Sequence, residues 1–265
     1  FMTDIGADLA DLEGFENLRK EVDCFLIDHH PIHADLKNKK NIIKTETGDC
    51  TSLVVYTLAK EFFGLENWEW LVCSATISDF SFKKKENLEF LKKNYPEIKG
   101  EENIFESEPG KISSQMVYAL IYFRGDEEKV YELIKEKDFK DLEKVYQIIK
   151  EEIKEQVDKF KKEAEFYPKR NLYFYYIKSR FNIPSVLSTI LSTKEPDKTF
   201  ILINGEDLGV MKVSARNQSC KEDMNLLMKK GIEGLENATG GGHVPAAAAR
   251  FLKKDLERVK KNILF

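Results

Sequence analysis

The 265-residue chain contains no apolar run near the roughly 18–20 residues that a membrane-spanning helix needs. Nothing near its start resembles a signal peptide. Its four cysteines, Cys24, Cys50, Cys73 and Cys220, lie far apart with no Cys-x-x-Cys pair. That spacing excludes both a cysteine-ligated zinc site and the disulfide framework of a small secreted scaffold, so free thiols in a reducing cytoplasm are expected. There is no internal repeat and no low-complexity segment. With 42% hydrophobic and 33% charged residues, the membrane, collagen-like, disordered and disulfide-rich classes fall away. A globular protein of one large or two modest domains remains.

The net charge of −4 conceals a division. Residues 1–166 hold 25 Lys+Arg against 36 Asp+Glu, whereas residues 167–265 hold 17 against 10. An acidic module suits divalent cations and a basic one suits a polyanion. Uneven surface charge on a two-lobed protein accounts for the same figures, and charge alone does not choose between them.

Patterning supplies the elements. Phe1–Asp4 reads as the tail of a strand, and a stretch upstream of Phe1 is expected. Val22–Ile27 suits a buried parallel strand, followed by Asp28-His29-His30-Pro31, and Asn41–Lys44 suits another. Leu53–Phe63 has helical spacing, with Thr51 or Ser52 as its cap and Gly64 as its stop. Further helices are expected over 67–78, 86–94, 112–123 and 127–136, and a long charged helix over 139–166 connects two modules. In the second module, Asn171–Ile177 reads as a strand and Ser185–Leu191 as a helix. Thr199–Ile203 and Val210–Ser214 flank a hairpin turn at Asn204-Gly205-Glu206-Asp207. Helices near 222–230 and 252–263 complete an α/β module.

Histidine is scarce and concentrated. Of four, His29, His30 and His33 fall within five residues, and His243 follows three glycines. Ligand sites in open parallel sheets form at the carboxyl ends of strands. Asp28, His29 and His30 stand at such an end, where mixed imidazole and carboxylate donors suit Mn²⁺ or Zn²⁺ better than Ca²⁺ or Mg²⁺. Asp4 ends the first strand and Asp79 follows the apolar run Leu71–Ile77. Singly each reads as a cap; together with Asp28-His29-His30 they fit a metal cluster assembled from separate elements. Gly240, Gly241 and Gly242 before His243 suit a backbone nest for an anion, with Pro245 and Ala246–Ala249 opening a helix behind it. Arg216 in Ser214-Ala215-Arg216 can make paired contacts to phosphate.

These residues resemble the motifs of the DHH phosphoesterase superfamily, in the branch carrying a DHHA1 domain. Asp28-His29-His30 matches the tripeptide that names the family. Thr3-Asp4-Ile5-Gly6 and Ser78-Asp79 are similar to the motifs before and after it, and Ser214-Ala215-Arg216 and Gly240–His243 are similar to the two DHHA1 signatures. The resemblance implies a two-domain α/β fold: a parallel-sheet DHH domain over 1–138, a connecting helix over 139–166 and a smaller mixed-sheet DHHA1 domain over 167–265. It implies a cytoplasmic, metal-dependent phosphodiesterase, RecJ-like exonuclease or oligoribonuclease, with two Mn²⁺ ions in a complete site and Mg²⁺ as the alternative. Substrates would be single-stranded RNA, DNA or oligonucleotides, cleaved between the modules, with no membrane partner. A homodimer or a replication or repair protein is the further partner it suggests.

By the same resemblance Asp28, His29 and His30 form the catalytic group. Asp4 bridges metals, His29 and Asp79 complete one metal, and Asp28 stands behind the histidine ring. His30 faces the substrate phosphate, which Arg216, His243 and the Gly240, Gly241 and Gly242 backbone hold. One family feature, an Asp-x-Asp motif on the first strand, has no match in these residues and is expected upstream of Phe1. A chain without it would be a non-catalytic nucleic-acid or replisome-binding protein; a cyclic-dinucleotide phosphodiesterase is the other alternative.

Overall fold

The computed structural model describes residues 1–37, 39–205 and 209–265. The chain forms two compact units, Phe1–Val117 with Val130–Leu142, and Tyr118–Lys129 with Glu143–Phe265.

In the first unit, β1 (Met2–Thr3) leads through α1 (Ala7–Ala10) and α2 (Leu12–Glu21) to β2 (Leu26–Asp28), and then to β3 (Ile42–Lys44). The three strands are parallel in the order β1-β2-β3, with Thr3 beside Ile27 and Asp28 beside Lys44. Parallel pairing needs a crossover between strands, and α1 and α2 fill the first one. Asp11 starts α2 by accepting from the Gly14 N–H at 2.9 Å. The apolar run from Val22 is strand only at its end: Val22 closes α2 and is half exposed, while Leu26 and Ile27 are buried. Phe15, Cys24, Leu26 and Leu36 form the core beneath this sheet.

Helices follow: α3 (Thr51–Phe63), α4 (Glu69–Ser78), α5 (Lys85–Asn94), α6 (Glu108–Tyr122) and α7 (Glu127–Lys135). Gly64 stops α3 in the left-handed conformation, φ 62°. The expected hydroxyl cap of α3 is not made. Cys50 occupies the cap position without a side-chain bond, and the Thr51 hydroxyl donates instead to Asp4 Oδ1 at 3.2 Å. Thr51 is already the first residue of the helix, so its hydroxyl sits past the cap position and is free to donate to the carboxylate.

Next come α8 (Phe139–Glu163), β4 (Glu165–Tyr167) and β5 (Leu172–Ile177), then α9 (Pro184–Lys194), β6 (Thr199–Gly205) and β7 (Val210–Arg216). The chain closes with α10 (Met224–Gly231), β8 (Thr239–Gly242), β9 (Ala246–Leu252) and α11 (Leu256–Leu264). The six-stranded sheet has the order β4-β5-β6-β7-β9-β8, with β5 and β6 parallel and every other pair antiparallel. The β6–β7 pairing agrees with the hairpin reading, although Glu206 and Asp207 of its turn lie outside the described residues.

Along α8, Val145, Ile149, Ile153 and Phe160 recur at helical spacing and are buried. Ile149, Ile153 and Phe160 join Tyr175, Ile177, Leu187, Leu191, Phe200 and Leu202 on one face of the sheet. The buried Gln156 on the same helix is satisfied, donating to Lys178 O and accepting from the Tyr175 hydroxyl. On the other face, α10 and α11 cover Phe174, Ile201, Ile203, Val213 and Phe251.

One expectation fails here. Ala246–Ala249 is strand, not the start of a helix, and Thr239–Gly242 is the strand paired with it. Ala247, Ala249 and Phe251 alternate inward against the α10 side, and this pairing outweighs alanine's helix propensity.

Candidate metal centre and phosphate-binding face

Because β1 and β2 are parallel, their carboxyl ends lie on one edge of the sheet. Asp4 follows β1, with its N–H donated to Ile27 O at 3.1 Å, and His29 and His30 follow β2. Asp4 has φ 57°, a left-handed conformation that aspartate adopts more readily than most residues. One donor atom from each of Asp4, His29 and His30 falls within 4.8 Å of the others. His29 Nε2 lies 3.2 Å from Asp4 Oδ1, and its Nδ1 lies 2.5 Å from Asp49 O and 3.5 Å from Asp79 Oδ2. A carbonyl can only accept, so Nδ1 carries a proton, and Nε2 faces a carboxylate oxygen, the edge at which a neutral ring and that carboxylate could share a cation.

Asp79, the C-cap residue of α4, adds a second negative group. Burial lifts its carboxyl to about 6; neighbouring His29 opposes the lift and the Asp4 charge adds to it. A carboxyl at a helix C-terminus gains nothing from the helix dipole, so a cation is its natural partner. Asp4, His29 and His30 thus gather one carboxylate and two imidazoles, a donor mix that suits Mn²⁺ or a similar ion, whereas Asp79 lies outside that group and faces the Nδ1 edge of His29.

Asp28 does not stand behind His29, as the resemblance implied. Its Oδ1 accepts from His30 Nδ1 at 2.8 Å, and its Oδ2 accepts from Lys44 Nζ at 2.6 Å. The same Nζ meets Asp8 Oδ1 at 3.0 Å, and Asp8 Oδ2 accepts the His33 N–H at 2.9 Å. Both carboxylates are fully buried and the lysine nearly so. Burial alone would raise the Asp28 carboxyl, but the bonds from Lys44 and His30 outweigh it and hold it below its ordinary value. Asp8, in the first turn of α1, is thus part of a buried ion cluster. No local motif marks Lys44, because its partners lie 16 and 36 residues away. A second brace holds the Asp49 carbonyl: Lys84 Nζ donates to Asp49 Oδ1 at 2.6 Å and the Ser81 hydroxyl to Gly48 O at 2.8 Å.

In the second unit, Lys212, Ser214 and Arg216 occupy the face of β7 opposite Met211, Val213 and Ala215. Arg216, Gly241 and Gly242 line one cavity of about 340 Å³ with Ser185, Ser214 and Ala246. The Arg216 Nε is buried and has no acceptor among the described residues. Burial lowers the guanidinium pKa, so an anion in the cavity would satisfy a donor the protein leaves open. The glycines act through their size rather than as a loop nest. The Gly242 N–H is engaged by Asn225 Oδ1 at 3.2 Å. A Cβ on Gly242 would come 2.5 Å from Ala246 O, with φ 154°. Gly240 and His243 do not line this cavity; exposed His243 opens the turn into β9, its N–H bonded to Ala246 O at 2.8 Å.

A second cavity in this unit, of about 410 Å³, is lined by Arg124, Arg180, Tyr122 and Phe181. Tyr122 and Phe181 stack at 5.9 Å, and Arg180 lies 4.6 Å from the Phe181 ring centroid. Neither arginine was singled out by motif. Scarcity was the available signal: only 7 of the 42 basic residues are arginine, and three of those line the two cavities.

Taken together, these features define an α/β protein with a metal-type donor cluster at the ends of parallel strands and an arginine-lined cavity on a mixed sheet. Solved structures share this architecture. A DHH-domain protein described as a member of the s1p family of ribosomal proteins matches at TM-score 0.57 and 15% identity, over 96% of this chain and 67% of its own. RecJ from Thermus thermophilus in complex with Mn²⁺ matches at TM-score 0.67 and 15% identity, over 98% of this chain and 43% of its own. RecJ in complex with Mg²⁺ from the same organism matches at 0.61 and 14%, over 88% and 39%. The chain spans two thirds of the first and less than half of RecJ. No protein-family model and no curated protein matches the sequence. The chain therefore has the fold of DHH-domain proteins. No helix among the described residues is long and apolar enough to cross a membrane.

Proposed function

We propose that the chain is a Mn²⁺-dependent phosphodiesterase acting on single-stranded nucleic acid or short oligonucleotides. The observation that carries this reading is the convergence of Asp4, His29 and His30, with Asp79 beside them, at the ends of β1, β2 and α4. A bound divalent ion supplies the Lewis-acid charge that phosphoryl transfer needs. Asp4 and His29 would hold it with Asp79 beside the His29 ring, His30 would face the substrate phosphate, and the Asp49 carbonyl and Asp28 carboxylate orient the two rings. Arg216 binds a phosphate through its open Nε, and the absent side chains of Gly241 and Gly242 leave room for it. Arg124 and Arg180 suit a further phosphate, with Tyr122 and Phe181 offering ring faces to a base.

The fold of RecJ supports this reading, and the RecJ structures hold Mn²⁺ or Mg²⁺. End-labelled RNA and DNA of graded length, incubated with Mn²⁺ or with EDTA, test it. Progressive shortening in Mn²⁺ alone is expected; no cleavage of any length, with the protein folded, refutes it.

A further inference from the structure

The cavity along β7 and the aromatic cavity of the same unit meet at one residue, Asn182, which lines both. Strand register explains the meeting. Ile177, the last residue of β5, pairs with Asn204, and Asn204 pairs with Lys212. Residues 178–183 therefore leave β5 level with Lys212, at one end of the face that also presents Ser214 and Arg216. This segment is pinned. The Lys178 carbonyl accepts from the buried Gln156 at 3.1 Å, the Phe181 N–H donates to Ser179 Oγ at 3.0 Å, and the Phe181 ring belongs to the core that α8 covers. Two cations line each cavity, Arg124 and Arg180 in one and Lys212 and Arg216 in the other, and no carboxylate among the described residues lines either. The Asn182 amide and the Arg180 guanidinium have no hydrogen-bonding or ionic partner among the described residues.

We propose that the two cavities form one track for a single strand, joined at Asn182: the Arg216 end takes one phosphate, the Arg124–Arg180 end takes another, and a base lies on Tyr122. This rests on the reading of the chain as a binder of single-stranded nucleic acid given above. Lys212 and Arg216 are four residues apart on β7, about 13 Å, which exceeds the span of one phosphate group. A strand can fill both ends where a lone phosphate cannot. Tyr122 is 39% exposed and stacks on Phe181, so the ring is backed by the core while part of it stays open. Stacking of this kind accepts any base. Arg180 rests on the Phe181 ring, which fixes the guanidinium while its N–H edge stays open to phosphate. The Asn182 amide, both donor and acceptor, suits the sugar or base between the two phosphates.

The test is fluorescence anisotropy of the full chain in EDTA, with a labelled single strand of about ten nucleotides and an abasic strand of the same length. The native chain is expected to bind one strand. Tyr122→Ala should weaken the base-bearing strand about 5–100-fold, Tyr122→Phe should keep the affinity, and neither should alter binding of the abasic strand. Arg180→Ala should lower the salt slope on both strands by about 0.7, Arg216→Ala by the same amount, and the double variant by about 1.4, because one strand meets both arginines. Tyr122 and Arg180 are exposed, so their variants should keep the native melting transition. Native affinity in both Tyr122→Ala and Arg180→Ala overturns the proposal. An equal loss on the abasic strand in Tyr122→Ala, a slope in the double variant no lower than in Arg216→Ala, or no strand binding by the native chain does so too. Because EDTA removes hydrolysis from the readout, failure to cleave any phosphodiester in Mn²⁺ sinks the functional reading and leaves the track standing. A chain that cleaves oligonucleotides yet shows none of these losses sinks the track alone.

Discussion

Lys44→Met tests the energetics of the buried cluster. The lysine is 5% exposed and the carboxylates of Asp8 and Asp28 are 0% exposed, so the substitution strands two anions where water cannot reach them. Removing one partner of a buried pair costs about 3–5 kcal/mol, a large part of the roughly 5–15 kcal/mol that holds a domain folded. At about 2–4 °C per kcal/mol for a protein of this size, the melting temperature should fall by roughly 6–20 °C. Both tryptophans, Trp68 and Trp70, belong to the first unit, so urea unfolding followed by their emission reports that unit alone.

The sign of the pH dependence follows from Asp28, whose folded pKa lies below its ordinary 3.8. Its contribution is present above that pH and is lost as pH falls through the lower folded value. The penalty of Lys44→Met should therefore shrink in acid. Neutralising both acids as well, in Asp8→Asn/Lys44→Met/Asp28→Asn, should recover much of the loss. A penalty below about 1 kcal/mol, the range of exposed ion pairs, refutes the reasoning, as does a triple variant no more stable than the single one.

Other consequences concern binding and the strand of glycines. Arg216→Ala should raise KM for oligonucleotides and reduce the salt dependence of binding by about one phosphate contact, read from titrations at several salt concentrations. An unchanged slope removes Arg216 from the binding face. Gly242→Ala forces a Cβ to 2.5 Å from Ala246 O and should destabilise the second unit by more than about 1 kcal/mol, whereas Gly241→Ala, 3.5 Å from Asn225 Oδ1, should leave stability unchanged and weaken oligonucleotide binding. Equal melting temperatures for both would contradict the packing described. Burial lifts the Asp79 carboxyl to about 6, so part of the fall in Mn²⁺ affinity below that pH should be missing from Asp79→Asn; calorimetry across roughly pH 5–8 compares the two, and identical profiles would remove Asp79 from the centre.

The site was legible in the sequence where its parts are local. Asp4, Asp28, His29 and His30 stand at strand ends, and apolar runs followed abruptly by polar residues mark such ends in one dimension. What was not legible depends on pairing. Nothing near Lys44 reveals that strand register sets it against Asp28, or that Asp8, from a helix 36 residues earlier, closes the cluster. The hydroxyl of Thr51 was assigned to a helix cap because caps are local, yet a carboxylate 47 residues away claims it. Ala246–Ala249 misled for the opposite reason. Local propensity favoured helix, and only the neighbouring β7 and β8 make a strand of small residues the better solution.

The proposed metal centre is built on Asp4 and His29. Titration of the protein with Mn²⁺, followed by loss of the free-ion electron paramagnetic resonance signal, measures it directly. The native chain should bind Mn²⁺ saturably, and Asp4→Asn and His29→Ala should each lose that binding while keeping the native far-ultraviolet spectrum and melting transition. Undiminished binding in both folded variants would contradict the account.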